Sequence, residues 1–326
     1  MSNIFPGKFL RLLLAAMCLA ATAAGAQGWP NKPVRLIVPF PPGGGSDAVG
    51  RLIAQKLSER LGQQVVVDNR GGAGGSMGTE LAVRAAPDGY TMVLASTSEI
   101  AINPSLYSRL TYDTVKDLIP VAQVATTPMV VIVNPSVPAK SIQELVALAR
   151  AKPGEINVAS AGAGTISHLS GELFRSTNQL NWTHVPYKGT GPALTDLAGG
   201  QVQVMFSPPP PALGLVKSNR ARLLAVSGKS RASTLPDVPT VNEALNVDYT
   251  VDNWYGIFMP IGTPPEVVRR MADEVAQSLK SPDVVNSLGV QGAAPGAMSQ
   301  SQFADYVKSE VQKWGGLVKS TGAKID

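Results

Sequence analysis

Residues 34–50 read VRLIVPFPPGGGSDAVG and decide the fold class. The mostly apolar segment 34–38 predicts a buried strand, and 39–45 predict a loop of prolines and glycines. Apolar residues then recur at helical spacing, and Ser46 or Asp47 is expected to cap the start of that helix. A strand, a glycine loop and a helix in this order are typical of α/β folds with a parallel sheet.

The same unit recurs further along the chain. A second strand is predicted at 65–67, a second glycine loop at 69–75 and a second helix at 76–86. A third strand, 90–95, ends in Ser96-Thr97-Ser98. Ligands of parallel sheets bind beyond the carboxyl ends of the strands. Both glycine loops and Thr97 are therefore expected to face one crevice.

A second group of strands and helices predicts a second sheet. A strand at 129–133, a helix at 141–151 and a strand at 156–159 lead into a third glycine loop, 160–165. Further strands are expected near Thr183, Val204 and Leu224, and 252–259 is expected to return to the first sheet. We therefore expect a first lobe made of residues 27–127 and 252–326, with a second lobe, 128–251, inserted between them.

The first 26 residues have the composition of a secretory signal peptide. Lys8 and Arg11 precede an apolar run, 12–21, that is too short to span a bilayer. The small residues at 24–26 predict cleavage after Ala26. The protein is therefore expected to be exported.

Composition excludes several classes of protein. With 44% hydrophobic and 16% charged residues, the chain is neither disordered nor fibrous. Twenty-eight basic residues face 23 acidic ones, and two of the basic residues lie in the predicted signal peptide, so the small remaining excess argues against nucleic-acid binding. The single cysteine, Cys18, also lies in that segment, which predicts an exported protein without disulfides.

One alternative is a dinucleotide-binding enzyme. The pattern Gly43-x-Gly45-x-x-Ala48, with Asp68 at the end of the next strand, fits the nucleotide fingerprint in outline. That fingerprint places its first glycine at the end of the strand, whereas 39–42 intervene here. Export also separates the protein from the cytoplasmic cofactor pool, so this alternative is the weaker one.

A second alternative is an exported serine hydrolase. The segment 74–78 matches G-x-S-x-G with Ser76 at its centre. A nucleophile of this type directly follows its strand, whereas Ser76 stands nine residues beyond Val67. The two available bases, His168 and His184, fall in the predicted second lobe, which weakens the hydrolase hypothesis.

The sequence predicts no metal site and no organic cofactor. His168 and Glu172 lie four positions apart, so a helix would place both on one face. Two ligands without a third are weak evidence for a metal, and an ordinary contact on the helix surface is the simpler interpretation.

The glycine loops favour a carboxylate-binding cleft instead. Each loop precedes a helix whose first amides are free to donate, and glycine lets a ligand approach the backbone closely. Hydroxyls at Ser46, Thr97 and Ser98 add donors. Asp47 would repel an anion unless it turns along the first helical turn, where the helix dipole favours it.

Six motifs occur in order along the chain and together resemble one family. They are VPFPPGGGSD at 38–47, NRGGAGG at 69–75, SAGAGTISHL at 160–169, HVPYKG at 184–189, LAGGQV at 197–202 and LPDVPT at 235–240. The chain resembles the Bug proteins, periplasmic solute-binding proteins related to the tripartite tricarboxylate transporters. The resemblance extends over essentially the whole predicted mature chain.

The resemblance implies both a fold and a function. The expected fold is a two-lobed α/β clamp of the type II periplasmic-binding-protein kind, with the ligand cleft between the lobes. The expected function is capture of a small organic acid by lobe closure, by a monomer without enzymatic activity or cofactor. Membrane subunits of a tripartite tricarboxylate system are the expected partners, and the periplasm is the expected location.

The resemblance also implies which residues bind the ligand. They are Phe40, Gly43, Gly44, Gly45 and Ser46 for one wall, with Asp47 beside them; Ala73, Gly74, Gly75 and Ser76 for the second wall; Thr97 and Ser98 at the hinge side; and Gly162, Thr165 and His168 at the distal end. Ser207 is a further candidate, because the family usually has aspartate after the Met-Phe pair at 205–206. Without that carboxylate, a plain acid is favoured over an amino acid.

Overall fold

The structure is a computed structural model that describes residues 28–232 and 234–321. The predicted signal peptide, residues 1–26, and its cleavage site lie outside the described residues. Within the part of the chain that is described, no helix is both long enough and apolar enough to cross a membrane.

The described residues form strands and helices that alternate along most of the chain. The strands are β1 (Val34–Val38), β2 (Val65–Asn69), β3 (Thr91–Ser96), β4 (Leu118–Pro128), β5 (Val130–Val133), β6 (Asn157–Ser160), β7 (Thr183–Pro186), β8 (Val204–Ser207), β9 (Arg222–Val226), β10 (Asp252–Pro260) and β11 (Ala294–Pro295). The α-helices are α1 (Gly45–Leu61), α2 (Ser76–Val83), α3 (Asn103–Leu106), α4 (Ile142–Ala151), α5 (Ile166–Thr177), α6 (Thr190–Ala198), α7 (Pro209–Lys217), α8 (Val241–Leu245), α9 (Pro265–Leu279), α10 (Pro282–Val290) and α11 (Gln300–Thr321). A 3₁₀ turn (Ala73–Gly75) precedes α2, and a π-helix (Ser98–Ile102) precedes α3.

These strands form two sheets, one in each lobe. The first sheet has the order β11-β4-β10-β3-β1-β2, and the second has the order β7-β6-β8-β5-β9. In the first sheet β1 is parallel to β2 and β3, while β10 is antiparallel to β3 and β4. In the second, β6 is parallel to β7 and β8, while β5 is antiparallel to β8 and β9. The predicted two-lobed α/β fold is confirmed.

The two lobes are joined where β4 continues into β5 and where Val251 leads into β10. Ser227, just after β9, lies between these two crossings. Its backbone N–H donates to the Met129 carbonyl at 2.9 Å, and its carbonyl accepts from the Val251 N–H at 2.9 Å. Its hydroxyl accepts from the Met129 N–H at 2.7 Å and donates to the Val251 carbonyl. The predicted lobe boundaries at 128 and 251 stay a prediction.

Helix α1 packs its buried face on the first sheet, through Val49, Ile53 and Leu57. It begins at Gly45 with Gly44 at the cap position and no side-chain cap. The predicted capping by Ser46 or Asp47 is therefore wrong, because both residues lie inside the first turn. The helix ends before Gly62, whose φ of 64° is the left-handed conformation that suits glycine.

Helix α11, the last helix of the described chain, packs against elements of both lobes. It packs against β4 and the π-helix of the first lobe and also contacts α5 of the second lobe. The indole N–H groups of Trp254 and Trp314 both donate to Glu310 Oε2, at 3.1 and 3.0 Å. This buried carboxylate therefore ties α11 to the return strand β10.

The four consecutive prolines at 208–211 lead into a helix and do not form a separate loop. Pro209 is the first residue of α7, and the two prolines that follow lie in its first turn. Proline is tolerated there because the first amides of a helix have no intrahelical acceptor, so the missing N–H costs no bond.

Candidate functional site

A narrow cavity of about 30 Å³ lies between the two lobes, and we call it the inner cavity. The first lobe contributes Phe40, Pro41, Gly44, Gly45, Ser46, Ser96, Ser98, Asn253 and Tyr255, and the second contributes Ala161, Thr165, Ile166, Ser167, Thr190 and Pro208. Hydroxyls, backbone groups and apolar side chains make up this wall, without a charged side chain among these residues. A cavity of this size has room for one small polar group rather than a whole ligand.

A wider space of about 630 Å³ adjoins the inner cavity, and we call it the outer pocket. Its lining residues are Phe40, Pro41, Pro42, Asn69, Gly71, Gly72, Ala73, Gly74, Tyr107, Ala161, Gly162, Ala163, Tyr187, Lys188 and Gly189. Phe40, Pro41 and Ala161 line both spaces, so the two are parts of one cleft. Lys188 supplies a cation to the outer pocket.

The lobes are closed on each other in this structure. The backbone N–H of Ile166, at the start of α5, donates to the Ser98 hydroxyl at 2.9 Å across the cleft. Tyr107 lies within 3.5 Å of the Ala163 carbonyl at the outer pocket. The cleft therefore has the closed conformation that would enclose a ligand.

The first glycine loop presents the start of α1 to the inner cavity. Gly44, Gly45 and Ser46 line it, and amides of a first helical turn have no intrahelical acceptor. The positive end of the helix dipole lies at the same point. A Cβ on Gly45 would lie 2.7 Å from the Tyr255 hydroxyl and 3.0 Å from Pro208 Cβ, so this position has room for glycine only.

Asp47 turns away from the cavity and holds the loop. Its carboxylate accepts from the Gly43 N–H at 3.0 Å, from Asn69 Nδ2 at 3.0 Å and from Arg51 Nε at 3.1 Å. Burial alone would raise the pKa of Asp47, but these bonds outweigh it and hold the pKa below its usual value. Neither Asp47 nor Gly43 is among the residues that line the cleft, which favours a structural role for both.

The second glycine loop does not reach the inner cavity. Ala73 and Gly74 line the outer pocket, whereas Gly75 and Ser76 are not among the described residues that line either space. Gly75 has a φ of 91°, and a Cβ there would lie 2.5 Å from Glu99 Cγ. Ala73 and Gly74 thus face the same cleft as the first loop, as expected, whereas the 3₁₀ turn directs Gly75 into the lobe instead.

The hydroxyl of Ser76 donates to the Ala73 carbonyl at 2.7 Å and does not face a base. Nδ1 of His168 and Nε2 of His184 hydrogen-bond to groups of the second lobe. A serine nucleophile requires a hydrogen-bonded base, so the hydrolase hypothesis finds no support in this arrangement of the described residues.

Replacing Ser76 by alanine is therefore expected to leave organic-acid affinity within about threefold, since Ser76 lines neither part of the cleft and its hydroxyl bonds only within its own loop. The wild-type protein and the variant should both lack esterase activity on a chromogenic acetate ester. Calorimetry and an esterase assay check the two expectations. Ester hydrolysis that the substitution abolishes would contradict the receptor interpretation.

Of the remaining first-lobe candidates, Ser98 lines the inner cavity and Thr97 does not. Thr97 is fully buried, and its Oγ1 accepts from the Trp254 N–H at 3.1 Å, so it fixes β10 beside β3.

The second-lobe candidate Ser207 is fully buried at the end of β8 and donates to the Pro208 carbonyl at 3.0 Å. Ser207 therefore positions Pro208, which does line the cavity.

In the third loop, Gly162 lines the outer pocket and Thr165 lines the inner cavity, while His168 lies behind the loop. The rings of His168 and His184 stack with centroids 3.9 Å apart. Burial lowers the pKa of both rings to about 4, helped at His168 by the charge of Arg175. Both histidines are thus neutral near neutral pH, and His168 Nδ1 accepts from the Gly164 N–H at 3.2 Å.

The carboxylate of Asp68 is bound by two arginine side chains of its own lobe. It accepts from Arg35 Nε at 2.8 Å and from Arg70 Nε at 2.9 Å. Burial would raise the pKa of Asp68, but these guanidinium groups outweigh it and lower the pKa. A carboxylate paired twice in this way is not free to hold a ribose, so the dinucleotide alternative finds no support.

The sequence analysis did not predict the part of the cavity that β10 contributes. Asn253 and Tyr255 lie on this strand, where Tyr255 pairs with Ser96 of β3. Asn253 Oδ1 is buried without a hydrogen-bond partner among the described residues. The placement of 252–259 as a return strand was the one signal that could have identified these residues.

In residues 28–232 and 234–321, no cluster of three or more histidine, cysteine, aspartate or glutamate side chains is arranged to hold a metal ion.

Comparisons with known proteins agree with this architecture. The model of the family described as "Tripartite tricarboxylate transporter family receptor" matches residues 49–323. BugT of Bordetella pertussis is 36% identical over 321 residues, which cover 97% of this chain and 98% of BugT. The resemblance to the Bug proteins is confirmed.

Two similar solved structures contain organic acids. Rpa4515 of R. palustris, solved with adipate, has a TM-score of 0.89 and 35% identity, covering 91% of this chain and 100% of that one. MatC from Rhodopseudomonas palustris, with bound malate, has a TM-score of 0.84 and 31% identity. The match covers 89% of this chain and 100% of MatC. From its sequence and its fold, this chain belongs to the tripartite tricarboxylate transporter family of receptors.

Proposed function

We propose that this protein is a periplasmic receptor that closes its two lobes around a small organic acid. The observation that carries the proposal is the start of α1, whose free amides at Gly45 and Ser46 lie in a cavity enclosed by both lobes. Relatives of the same fold contain adipate and malate, which supports an organic acid as the ligand.

The inner cavity suits one carboxylate group. Its polar donors are first-turn amides and the hydroxyls of Ser46, Ser98 and Thr190, which bind an anion without a buried cation. The lobes touch through the bond between Ile166 and Ser98, so an anion held here is shielded from water and its hydrogen bonds are strengthened.

The outer pocket suits the rest of the ligand. Lys188 is exposed at its edge, where a second acidic group would meet a cation. We therefore propose that, of the predicted ligand-binding residues, those that line the cleft contact the ligand. They are Phe40, Gly44, Gly45, Ser46, Ser98 and Thr165 at the inner cavity and Ala73, Gly74 and Gly162 at the outer pocket.

The proposal includes an exported monomer that binds without turnover and delivers its ligand to membrane subunits of a tripartite transporter. Residues 1–26 would be its signal peptide, and 128–251 its inserted lobe. The mass of the protein purified from the periplasm reports the cleavage site directly.

Organic acids are expected to stabilise and compact the protein together, because a ligand that touches both lobes binds the closed form better. At a ligand concentration of about 100 times Kd the gain is about 2.7 kcal/mol. For a chain of this length that corresponds to roughly 5 °C or less in melting temperature. A thermal-shift screen of mono-, di- and tricarboxylates, followed by small-angle scattering on the best acids, measures both effects.

Amides of the same acids are the matched controls, since they keep the size of the ligand and remove its charge. Stabilisation by the acids with an unchanged radius of gyration would contradict lobe closure. Failure of every acid to stabilise would contradict the proposed function itself.

A further inference from the structure

Glu99 is a buried carboxyl beside the inner cavity that the proposed binding mode does not use. It lies in the π-helix just after β3, and its side chain is completely buried. Its neighbours Ser96 and Ser98 both line the cavity. Glu99 Oε2 accepts from the Ser96 hydroxyl at 2.5 Å and from the Ser96 N–H at 3.2 Å, so this carboxyl is bonded directly to a residue of the cavity wall.

The second oxygen of this carboxyl has no donor. Glu99 Oε1 is buried and lacks a hydrogen-bond partner among the described residues. Gly75 packs directly on the Glu99 side chain, at the position where a Cβ would lie 3.2 Å from Oε1. A charged oxygen without a partner in such a place is costly, and protonation lowers this cost because it removes the buried charge.

The groups around Glu99 supply no compensating cation. Two phenols face it, Tyr112 from the loop after α3 and Tyr255 from β10, and burial followed by the charge of Glu99 raises the pKa of both. On α2, Glu80 pairs with Arg84 at 2.7 Å.

Helix α11 packs against the same π-helix, and its buried carboxylate, Glu310, pairs with Lys313 at 3.1 Å. Within the described residues, Glu99 itself makes no ion pair with lysine, arginine or histidine. Burial raises the pKa of Glu99 to about 7, above the range of an exposed glutamate.

We propose that Glu99 is a positioning residue of the inner cavity that takes up a proton from solvent when a carboxylate binds. The proposal rests on the proposed function, because it requires an anion in the inner cavity. Two negative charges on either side of Ser96, in a space closed to water, repel each other strongly. Protonating Glu99 removes that repulsion, and the neutral carboxyl still accepts the Ser96 bonds that hold β3 at the cavity wall.

The sign of the pH dependence follows from proton uptake. Below the pKa of Glu99 in the free protein, the carboxyl is already protonated and affinity does not change with pH. Above it, each binding event must also bind a proton, so affinity falls as pH rises. We expect Kd to rise about tenfold from about pH 6.5 to about pH 8.5. The two histidines of the chain do not titrate in this range, since burial lowers both pKa values to about 4.

Calorimetry of the wild-type protein with adipate and with malate tests the proposal. Titrations at one pH in buffers of different ionisation enthalpy count the protons taken up, and titrations across the pH range give the change in Kd. We expect an uptake between zero and one proton above neutral pH, approaching zero at the acidic end.

The diagnostic variant is Glu99→Gln, which keeps the size of the side chain and an acceptor for Ser96 but does not titrate. It should bind without proton uptake, with a Kd that is flat across the pH range. The matched control is Asp252→Asn, because burial also raises the pKa of Asp252 but this residue does not line the cleft. This control should keep the wild-type proton uptake.

Infrared difference spectra keep the proposal testable if Glu99→Gln does not fold. Binding to the wild-type protein should add a band of a protonated carboxyl. This band should lie at the same frequency with ¹³C-carboxylate-labelled and unlabelled ligand, which would assign it to the protein. Binding without proton uptake, or a Glu99→Gln variant that keeps the pH dependence, would overturn the proposal and leave the proposed function intact. Absence of binding by every acid of the screen would instead overturn the proposed function.

Discussion

Replacing Gly45 by alanine is expected to weaken organic-acid binding by about 10- to 100-fold, the effect of overpacking by 1–3 kcal/mol. The added methyl group would approach the Tyr255 hydroxyl to 2.7 Å and Pro208 Cβ to 3.0 Å. Tyr255 belongs to the first lobe and Pro208 to the second, so the methyl both fills the cavity and resists closure. Calorimetry with the best acid of the screen measures the loss.

Gly44→Ala is the matched comparison for this variant. Its Cβ would make an ordinary contact with Thr190 Oγ1 at 3.7 Å, and its φ of −91° suits alanine. The loss of affinity should therefore be much smaller than for Gly45→Ala. Equal losses in the two variants would show that the start of α1 is not the close contact between the lobes.

Replacing Gly75 by alanine is expected to lower the free energy of unfolding by about 2–4 kcal/mol. The backbone φ of 91° is strained for any residue with a Cβ, and that Cβ would lie 2.5 Å from Glu99 Cγ. Because Gly75 lies against Glu99 rather than in the cleft, the damage should appear in stability first. Urea denaturation followed by circular dichroism measures it.

Gly214→Ala supplies a control of opposite sign. Gly214 lies in the exposed middle of α7 with nothing within 4 Å of an added Cβ. Alanine favours a helix over glycine by up to about 1 kcal/mol, so this variant should gain stability. A Gly75→Ala protein as stable as the wild type would contradict the packing of the second loop against Glu99.

Local patterns in the sequence were sufficient to predict the first strand and the helix that follows it. The strand at Val34–Val38 lies where predicted, because a mostly apolar strand bounded by a proline-glycine loop has few alternatives. The helical spacing of apolar residues that follows this loop likewise corresponds to α1, which ends before the left-handed Gly62. The ordered motifs then identified the family.

Contacts between distant segments decided what the sequence analysis missed. Strand β4, Leu118–Pro128, contains prolines and threonines that hide its pattern, and it forms because β10 and β11 pair along both its edges. Asp47 was expected to face the ligand or cap α1, yet its partner Asn69 comes from the next strand. Asn253 reaches the cavity only because the chain returns through the centre of the first sheet.

Ser227 brings together the two chain segments at the predicted boundaries of the second lobe. Met129 and Val251, beside those predicted boundaries, are both bonded to the backbone and side chain of this one serine. A segment whose two ends meet at one point can be exchanged between homologous proteins without stretching either junction. Recombination within this family could therefore pair one set of glycine loops with many different distal walls, so that new ligand preferences arise by exchange of a whole lobe as well as by point substitution.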